Sequence, residues 1–367
     1  MEILFTVIAV LYLIIHLFLL SGLMKSSKLK KNDTGALPSL SVIVAGRNEE
    51  SNIKDCIRSL SELNYPEELL EIILVNDNSS DKTFEIMKDE TKNKSFFKVI
   101  SSEPDVKGIL KGKANAIDNA IQNCKGEIIL STDADCIVKP DWAVNTVRYY
   151  TGITGMVCGF TKMREDDSLF GKIQSLDWIY LLTLAAASSG LNMILSCIGN
   201  NLSFSKETYN YSGGYSSIKF SVTEDLALMR KIYSDKKFEI KFPIDKECLV
   251  TTIPCKSISE LISQKRRWFR GGTDVNLFGY IVGFELYMIN ILFIFGIFFL
   301  NLKLYLILIF IKIFSEIIIL IFVLNRLDLK SHLKMYPFFV FYFAVVGLLL
   351  PLSFVSGKKI NWKGQRF

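Results

Sequence analysis

Long apolar runs lie near both ends of the chain, and a segment of mixed polarity lies between them. Residues 3–23 carry no formal charge, and about 20 helical residues are enough to cross a hydrocarbon core roughly 30 Å thick. Three more apolar runs lie near residues 281–300, 302–324 and 337–354. The pattern therefore predicts membrane-spanning helices on both sides of a polar domain.

The first apolar run is read as an uncleaved membrane anchor. A cleaved signal peptide is the alternative, but no basic segment precedes the run and no Ala-x-Ala-like site follows it. Lysines follow directly, so the positive-inside rule places the next domain in the cytoplasm. These lysines are Lys25, Lys28, Lys30 and Lys31.

The middle segment alternates short apolar runs with stretches of helical period. Such alternation implies a parallel β-sheet with crossover helices. The strands are expected near residues 41–45, 71–75, 99–100 and 128–130, and the helices near 52–60, 80–89 and 113–123. Residues 168–193 are apolar but contain Lys172 and Asp177, and they fit either a membrane span or a buried or amphipathic helix near the bilayer. We predict the second.

These patterns divide the chain into five parts. The predicted parts are a transmembrane anchor (1–24), a linker (25–37), an α/β domain with interfacial helices (38–280), C-terminal transmembrane helices (281–357) and a basic tail (358–367). Three spans after a cytoplasmic domain would place the tail outside, where its basic residues contradict the positive-inside rule. The number and orientation of the last spans therefore stay open.

Composition narrows the possible classes of protein. Half of the residues are hydrophobic, as expected for a membrane protein, and the net charge of +6 suits an anionic membrane surface. No long basic face is interleaved with aromatic residues, so we expect no nucleic-acid partner. The seven cysteines form no Cys-x-x-Cys pair, which argues against a zinc site or a disulfide framework. Only two histidines exist, and both lie in or beside apolar runs, which excludes a Ser-His-Asp triad.

Acidic residues follow the apolar strand at 128–130. Asp133 and Asp135 are two residues apart, so on a strand they would share one face. Two adjacent carboxylates repel each other unless a cation lies between them, and Mg²⁺ or Mn²⁺ would suit them. A solvated turn is the alternative. Because residues 46–50 and 76–81 also form polar turns after strands, the three turns together predict a nucleotide and metal site at one sheet edge.

Two later motifs add charged and aromatic groups. Thr223-Glu224-Asp225 precedes an apolar helix, where it could also be an N-cap with first-turn acids. In Gln264-Lys265-Arg266-Arg267-Trp268, the residues Gln264, Arg267 and Trp268 share one helix face. An arginine can hold a diphosphate and an indole can stack on a sugar. A basic amphipathic helix at the membrane surface is the alternative.

The chain resembles the family 2 glycosyltransferases of the GT-A fold, of the membrane-integrated kind. The resemblance covers about residues 40–280, with the motifs in the expected order. They are Val-Ile-Val-Ala-Gly-Arg-Asn-Glu (42–49), Val-Asn-Asp-Asn-Ser-Ser-Asp-Lys-Thr (75–83), Gly-Lys-Ala-Asn-Ala (112–116), Asp-Ala-Asp (133–135), Thr-Glu-Asp (223–225) and Gln-x-x-Arg-Trp (264–268). Asn76 and Asn78 depart from the family's usual Asp and Gly.

The resemblance implies the fold and the role of each site residue. The fold would be an α/β GT-A (Rossmann-like) cytoplasmic domain flanked by transmembrane helices. Asp225 would be the catalytic base, and Asp135 would bind Mg²⁺ or Mn²⁺. The residues expected to bind the UDP-sugar donor are Glu49, Asp77, Lys113, Asp133 and Arg267. The residues expected on the acceptor side are Asn200, Glu224, Gln264 and Trp268.

The implied function is inverting transfer from a UDP-sugar to a membrane lipid or lipid-linked acceptor, at the cytoplasmic face of the inner membrane. The Gln-x-x-Arg-Trp motif is similar in glucosylceramide synthase and in the processive synthases of cellulose, chitin and hyaluronan. A processive polysaccharide synthase therefore stays as one alternative. A non-catalytic membrane scaffold that retains the fold is another. The sequence specifies neither the sugar nor the acceptor.

Overall fold

The computed structural model describes residues 1–33, 35–165, 168–272, 275–355, 361–362 and 365–366. The α-helices in these residues are α1 (Glu2–Ser26), α2 (Ile53–Ser61), α3 (Thr83–Thr91), α4 (Gly112–Asn123), α5 (Trp142–Val147), α6 (Leu169–Gly190), α7 (Lys206–Tyr211), α8 (Glu224–Asp235), α9 (Ile258–Gly271), α10 (Leu277–Phe295), α11 (Leu302–Arg326) and α12 (Tyr336–Val355). The strands are β1 (Leu40–Gly46), β2 (Leu70–Asn76), β3 (Phe97–Ser101), β4 (Ile128–Asp133), β5 (Thr154–Cys158), β6 (Thr161–Met163), β7 (Leu202–Ser205), β8 (Glu239–Lys241), β9 (Val250–Thr252), β10 (Asn361–Trp362) and β11 (Gln365–Arg366).

The main sheet has seven strands in the order β3-β2-β1-β4-β7-β5-β8. The first four strands in this order are parallel, as the sequence predicts. The predicted parallel pairing does not extend through the whole sheet, because β7 runs antiparallel to both β4 and β5. In the register, Gly46 lies opposite Asn76, and Ala45 lies opposite Asp133. The polar turns that follow β1, β2 and β4 therefore begin at one edge of the sheet.

Both faces of the sheet are covered. Val42 and Val44 of β1 point into a core with α2, whereas Ile43 between them points into a core with α4 and α6. All three side chains are fully buried. Burial on both faces explains why these strands are continuously apolar rather than alternating.

Four helices in the described part of the chain are long and apolar enough to cross a membrane: α1, α10 with its short extension, α11, and α12 with the turn before it. Asn301 Nδ2, at the start of α11, donates to Glu2 Oε1 at 3.1 Å, and Arg326 Nη1 at its end donates to the Ser27 carbonyl at 3.4 Å. These contacts show that α1 and α11 run in the same direction. The predicted basic tail lies largely outside the described residues.

Helix α6 is mostly buried and is not among the four candidate spans, in agreement with the prediction of a buried helix. It packs closely against α1, where Ser26 Oγ donates to the Ala186 carbonyl at 2.8 Å. Gly22 and Gly190 face each other in this contact, and neither position has room for a side chain. The N-terminal membrane helix is therefore packed directly on a helix of the α/β domain.

A buried polar network joins the membrane helices to α6. Lys312 pairs with Glu316, one turn later in α11, and both side chains are fully buried. Tyr12 and Tyr336 donate to the two carboxylate oxygens of Glu316 at 2.8 and 2.6 Å. The Tyr180 hydroxyl of α6 lies 3.2 Å from the Tyr12 hydroxyl. Because a charge in a membrane needs a partner and hydrogen bonds, this network fixes the arrangement of α1, α6, α11 and α12.

The contact between α1 and α6 predicts the outcome of a pair of alanine substitutions. Gly22→Ala introduces a methyl group that meets the backbone of Ala187, whereas Gly283→Ala in α10 meets nothing within 4 Å. We expect Gly22→Ala to lower the free energy of unfolding by about 1–3 kcal/mol, the usual cost of overpacking. Thermal unfolding in detergent measures this cost. Equal midpoints for the two variants would contradict the packing described here.

Candidate functional site

A cavity of about 600 Å³ lies at the edge of the sheet where β1, β2 and β4 end. Residues of α4, α6, α8 and α9 form its other walls. Every site residue predicted from the sequence lines this one cavity. These residues are Glu49, Asp77, Lys113, Asp133, Asp135, Asn200, Glu224, Asp225, Gln264, Arg267 and Trp268.

The turns after β1 and β2 hold each other in place. The Glu49 amide donates to Thr83 Oγ1 at 2.7 Å, and the Glu50 amide donates to Asp81 Oδ2 at 3.1 Å. In return, the Lys82 amide donates to Glu50 Oε2 at 3.1 Å. Reciprocal bonds of this kind give both turns one defined conformation, and they fix Glu49 at the cavity wall.

Asp77 directly follows β2 and lines the cavity, where it is only 7% exposed. Its amide donates to the Gly46 carbonyl at 2.9 Å, and its Oδ1 accepts from Ser102 Oγ at 3.0 Å. The side chain is therefore oriented by β1 and by the residue after β3.

The two departures from the family motif have structural explanations. Asn78 adopts φ +53°, in the left-handed region that favours glycine but that asparagine tolerates. Asn76 Oδ1 accepts from the Ser79 amide at 3.2 Å, so it stabilises the turn through its carbonyl oxygen. Both asparagines therefore retain the turn that positions Asp77.

Lys113 lies in the first turn of α4 and joins two walls of the cavity. Its ammonium pairs with Asp133 and lies 3.7 Å from Glu224 Oε1. Burial lowers the pKa of Lys113, but the nearby carboxylates of Asp133 and Glu224 outweigh it, and the pKa is raised overall. Lys113 therefore stays positively charged at neutral pH.

The pKa of Glu224 is raised, first by burial and then by the adjacent Asp225, although Lys113 opposes the shift. Glu224 therefore binds a proton more readily than an exposed glutamate does.

Asp133 and Asp135 reach the cavity in a different way from the one predicted. Strand β4 ends at Asp133, and the Cys136 amide donates to the Asp133 carbonyl at 3.0 Å, which closes a turn. Asp135 therefore belongs to a turn, and the argument that both side chains share one strand face is wrong. The turn nevertheless brings both carboxylates to the cavity wall.

Carboxylate oxygens are the ligands that Mg²⁺ and Mn²⁺ prefer. The described residues contain no group of three His, Cys, Asp or Glu side chains that could hold a metal ion alone. Mg²⁺ is usually bound by one or two carboxylates together with water and substrate phosphates. The Asp135 carboxylate, with Asp133 nearby in the same turn, fits a metal that arrives with a diphosphate.

The start of α8 brings Glu224 and Asp225 to the cavity. Thr223 makes no side-chain capping bond, so the described structure gives no support for a simple N-cap motif. Asp225 Oδ1 accepts from the Leu226 amide at 2.8 Å. A methyl group on Gly199 would lie 3.0 Å from Asp225 Oδ2, so the glycine lets its loop approach this carboxylate closely.

Helix α9 is capped by Ser257, whose Oγ accepts from the Glu260 amide at 3.2 Å. The Glu260 carboxylate accepts from the amide of Lys256, the residue before the cap, at 2.9 Å. Gln264, Arg267 and Trp268 line the cavity, as their helical spacing predicts.

Three residues near the cavity were missed by the sequence analysis as functional residues. Lys265 pairs with the buried Asp177 of α6, which fixes α9 against α6. The neighbouring Trp178 lines the cavity and contacts Trp268 edge to face, with 5.0 Å between ring centres. A buried aspartate in an apolar helix was the available signal, because such a charge needs a partner.

Asn200 lines the cavity, and its oxygen atoms also accept hydrogen bonds from two strands. Its Oδ1 accepts from Thr161 Oγ1 at 2.8 Å, and its carbonyl accepts from Thr132 Oγ1 at 2.9 Å.

Comparison of the sequence with known protein families and proteins identifies glycosyltransferases as its relatives. Residues 41–227 match the family model described as Glycosyl transferase family 2. A poly-beta-1,6-N-acetyl-D-glucosamine synthase of Staphylococcus epidermidis is 28% identical over 253 residues, which are 68% of this chain and 58% of that protein. The Staphylococcus aureus protein of the same name is 28% identical over 244 residues, which are 66% of this chain and 56% of that protein. The chain thus spans less than two thirds of the length of these relatives.

A solved structure shares the fold over almost the whole chain. It is a mannosyltransferase from Pyrobaculum calidifontis in complex with GDP-Man and Mn²⁺, with a TM-score of 0.59 at 16% identity. The match covers 95% of this chain and 99% of that one. Together with the family match, it confirms the predicted GT-A fold.

The turn at Asn78 predicts a difference between two substitutions. Asn78→Gly should leave stability nearly unchanged, because glycine adopts positive φ without strain. Asn78→Val should lower the free energy of unfolding by about 1–2 kcal/mol, the usual cost of a left-handed conformation. Thermal unfolding of the purified variants tests this. If valine is tolerated as well as glycine, the backbone conformation described here is wrong.

Proposed function

Because the chain belongs to glycosyl transferase family 2, we propose that it is an inverting glycosyltransferase that uses a UDP-sugar and a membrane-associated acceptor. The observation that carries the proposal is the convergence of eleven residues, spread over positions 49–268, on one cavity. The cavity contains the carboxylates, cations and aromatic side chain that such a transfer needs.

The donor would bind along the edge of the sheet. Asp77 and Glu49, which are held by the turns after β2 and β1, would bind the nucleoside. Lys113, Asp133 and Arg267 would lie at the diphosphate and sugar. The raised pKa of Lys113 supports this role, because a permanent positive charge is needed beside a diphosphate.

Asp135 would hold a divalent metal, Mg²⁺ or Mn²⁺, together with the donor's phosphate oxygens. When bound, the metal supplies positive charge beside the leaving diphosphate. Mn²⁺ in the complex of the structurally similar mannosyltransferase supports a divalent ion.

Asp225 would take the proton from the acceptor hydroxyl as this hydroxyl attacks the anomeric carbon. The attack occurs opposite the nucleotide, so a single displacement inverts the anomeric configuration. Lys113 and Arg267 would stabilise the negative charge that develops on the leaving diphosphate. A side chain at position 199 would crowd Asp225, so Gly199 leaves room for this carboxylate at the cavity wall, which supports its role.

The acceptor would bind between α6, α8 and α9, near Asn200, Glu224, Gln264 and Trp268. Part of the cavity wall on this side is apolar. Its apolar residues include Leu181, Leu182, Leu184, Ala185, Leu195, Ile198 and Val275. An apolar wall joined to four candidate membrane helices favours a membrane lipid or lipid-linked acceptor.

We place the reaction at the cytoplasmic face of the inner membrane. The lysines after α1 support this orientation through the positive-inside rule.

A processive polysaccharide synthase is the second candidate. The name of the staphylococcal relatives favours it, because a poly-N-acetylglucosamine synthase adds many sugars to one chain. The same name makes UDP-N-acetylglucosamine the first donor to test.

Substitution of Asp225 tests the proposed chemistry. We expect Asp225→Asn to lower sugar transfer by about 10²–10⁴-fold, because the acceptor proton loses its base. Binding of UDP with Mn²⁺ should be retained. Rates are measured with full-length protein in detergent, a bacterial lipid extract, and a panel of UDP-sugars that includes UDP-N-acetylglucosamine, with GDP-mannose for comparison.

Asp235→Asn is the matched control, since Asp235 lies at the other end of α8 and pairs with Lys231 at 2.7 Å. Equal activities of the two variants would contradict the role of Asp225. If the wild-type protein neither binds nor consumes any nucleotide sugar, it is a non-catalytic scaffold.

Product length distinguishes single transfer from polymerisation. A radiolabelled sugar donor is incubated with the protein and the lipid extract, and the products are separated by size. Single transfer predicts one labelled glycolipid whose amount, but not length, increases with time. A ladder of growing products would instead establish the processive candidate.

A further inference from the structure

One carboxylate oxygen joins a candidate membrane helix to the helix that carries Arg267. Asp177 of α6 is only 1% exposed, and its Oδ2 both pairs with Lys265 of α9 and accepts from the Tyr342 hydroxyl of α12 at 3.1 Å. Lys265 is buried as well. None of these three residues is among the described residues that line the cavity. A buried ion pair needs good geometry and satisfied hydrogen bonds, so the two donors together fix this oxygen.

The Asp177–Lys265 pair determines where the cavity residues of α9 lie relative to α6. Arg267 and Trp268 follow Lys265 within one helical turn, and both line the cavity. Lys265 Nζ lies 4.9 Å from the centre of the Trp268 ring, which packs edge to face on Trp178, the residue after Asp177. Because residues of one helical turn keep their positions relative to each other, a displacement of Lys265 also displaces Arg267.

The residues of α6 before Asp177 make two similar contacts. Gln174 is fully buried and holds Cys255, in the segment that leads into α9. Its Nε2 donates to the Cys255 carbonyl at 3.1 Å, and its Oε1 accepts from the Cys255 amide at 2.9 Å. Ser175 Oγ lies 3.1 Å from His332 Nε2, in the turn before α12. One short part of α6 is therefore bonded both to the cavity helix α9 and to the membrane segment at α12.

We propose that Asp177 is a positioning residue, which holds Arg267 at the donor's diphosphate through Lys265 while Tyr342 holds Asp177. The inference rests on the proposed function, in which Arg267 stabilises the leaving diphosphate, and it makes sugar transfer depend on α12. An arginine binds a diphosphate through directed hydrogen bonds, so a displacement of about 1 Å weakens its effect on the rate. Without the Tyr342 hydroxyl, Asp177 Oδ2 keeps one donor, and the carboxylate is free to move with Lys265.

Tyr342→Phe tests the inference, because phenylalanine keeps the ring and removes only the hydroxyl. The full chain in detergent is supplied with Mn²⁺, a bacterial lipid extract and the UDP-sugar panel, with UDP-N-acetylglucosamine first. Rates are expressed per UDP-binding site, counted by titration with UDP and Mn²⁺, because a folding defect lowers the number of sites and not the rate of each. We expect kcat per site to fall about tenfold, as for one lost hydrogen bond to a carboxylate.

Arg267→Ala separates positioning from a purely structural role. We expect this substitution alone to lower kcat about 10²-fold, because the diphosphate loses a stabilising cation. Tyr342→Phe should then cause no further loss in the Arg267→Ala background, because it acts through Arg267 and the two effects are not additive. A purely structural role of Tyr342 would give the same fractional loss in both backgrounds.

Tyr305→Phe is the matched control. It removes a hydroxyl that donates to the Phe293 carbonyl at 2.8 Å, a contact between α11 and α10. The control therefore loses one hydrogen bond of a candidate membrane helix, as Tyr342→Phe does, but not the bond to α6. Its rate per site should equal that of the wild-type protein.

A double variant replaces Tyr342→Phe if that protein does not fold. Asp177→Asn combined with Lys265→Gln removes both charges, so that neither stays buried without its partner. The rate per site should fall as in Tyr342→Phe, and this loss should also disappear in the Arg267→Ala background.

The outcomes separate the inference from the proposed function. A wild-type rate per site in folded Tyr342→Phe overturns the inference, and so does an equal loss in Tyr305→Phe. The same fractional loss with and without Arg267 also overturns it, as does a wild-type rate in Arg267→Ala. If the wild-type protein consumes no nucleotide sugar at all, the proposed function itself has failed.

Discussion

The site depends on one cation among several carboxylates. Lys113 lies between Asp133 at the end of the sheet and Glu224 at the start of α8. Without the charge of Lys113, the carboxylates of Asp133 and Glu224 would face each other with no cation between them, and the start of α8 would lose this attraction to the end of β4. The same cation would be needed beside the donor's diphosphate. The positive charge of Lys113 would thus serve two purposes: it holds α8 to the sheet and it would bind the donor's diphosphate.

Much of the fold and the site could be predicted from the sequence because the signals are local. Apolar runs that end in Gly46, Asn76 and Asp133 mark strands and their turns within a few residues. Contacts between distant segments could not be predicted in this way. The antiparallel strand β7 and the Asp177–Lys265 pair depend on tertiary packing, which no local pattern records. The turn at Asp135 was also missed. Side chains alternate between the two faces only within a strand, and β4 ends at Asp133.

Helix α6 connects the two halves of the molecule. One face carries Trp178 and lines the cavity, while Tyr180 reaches the polar network of the membrane helices. Gly22 and Gly190 bring α1 against its end. The candidate cavity and the membrane helices therefore share a structural element, so a shift of α1 or α12 would move the wall of the cavity.

The membrane network also constrains biogenesis. Tyr12 is made early, but its partner Glu316 follows 304 residues later. At ~5–20 residues per second, a ribosome needs about 15–60 s to cover that distance. During this interval Tyr12 lacks the carboxylate that accepts its hydrogen bond in the complete fold. A chain that ends before Glu316 would therefore lack the carboxylate that binds Tyr12 and Tyr336 in the complete network.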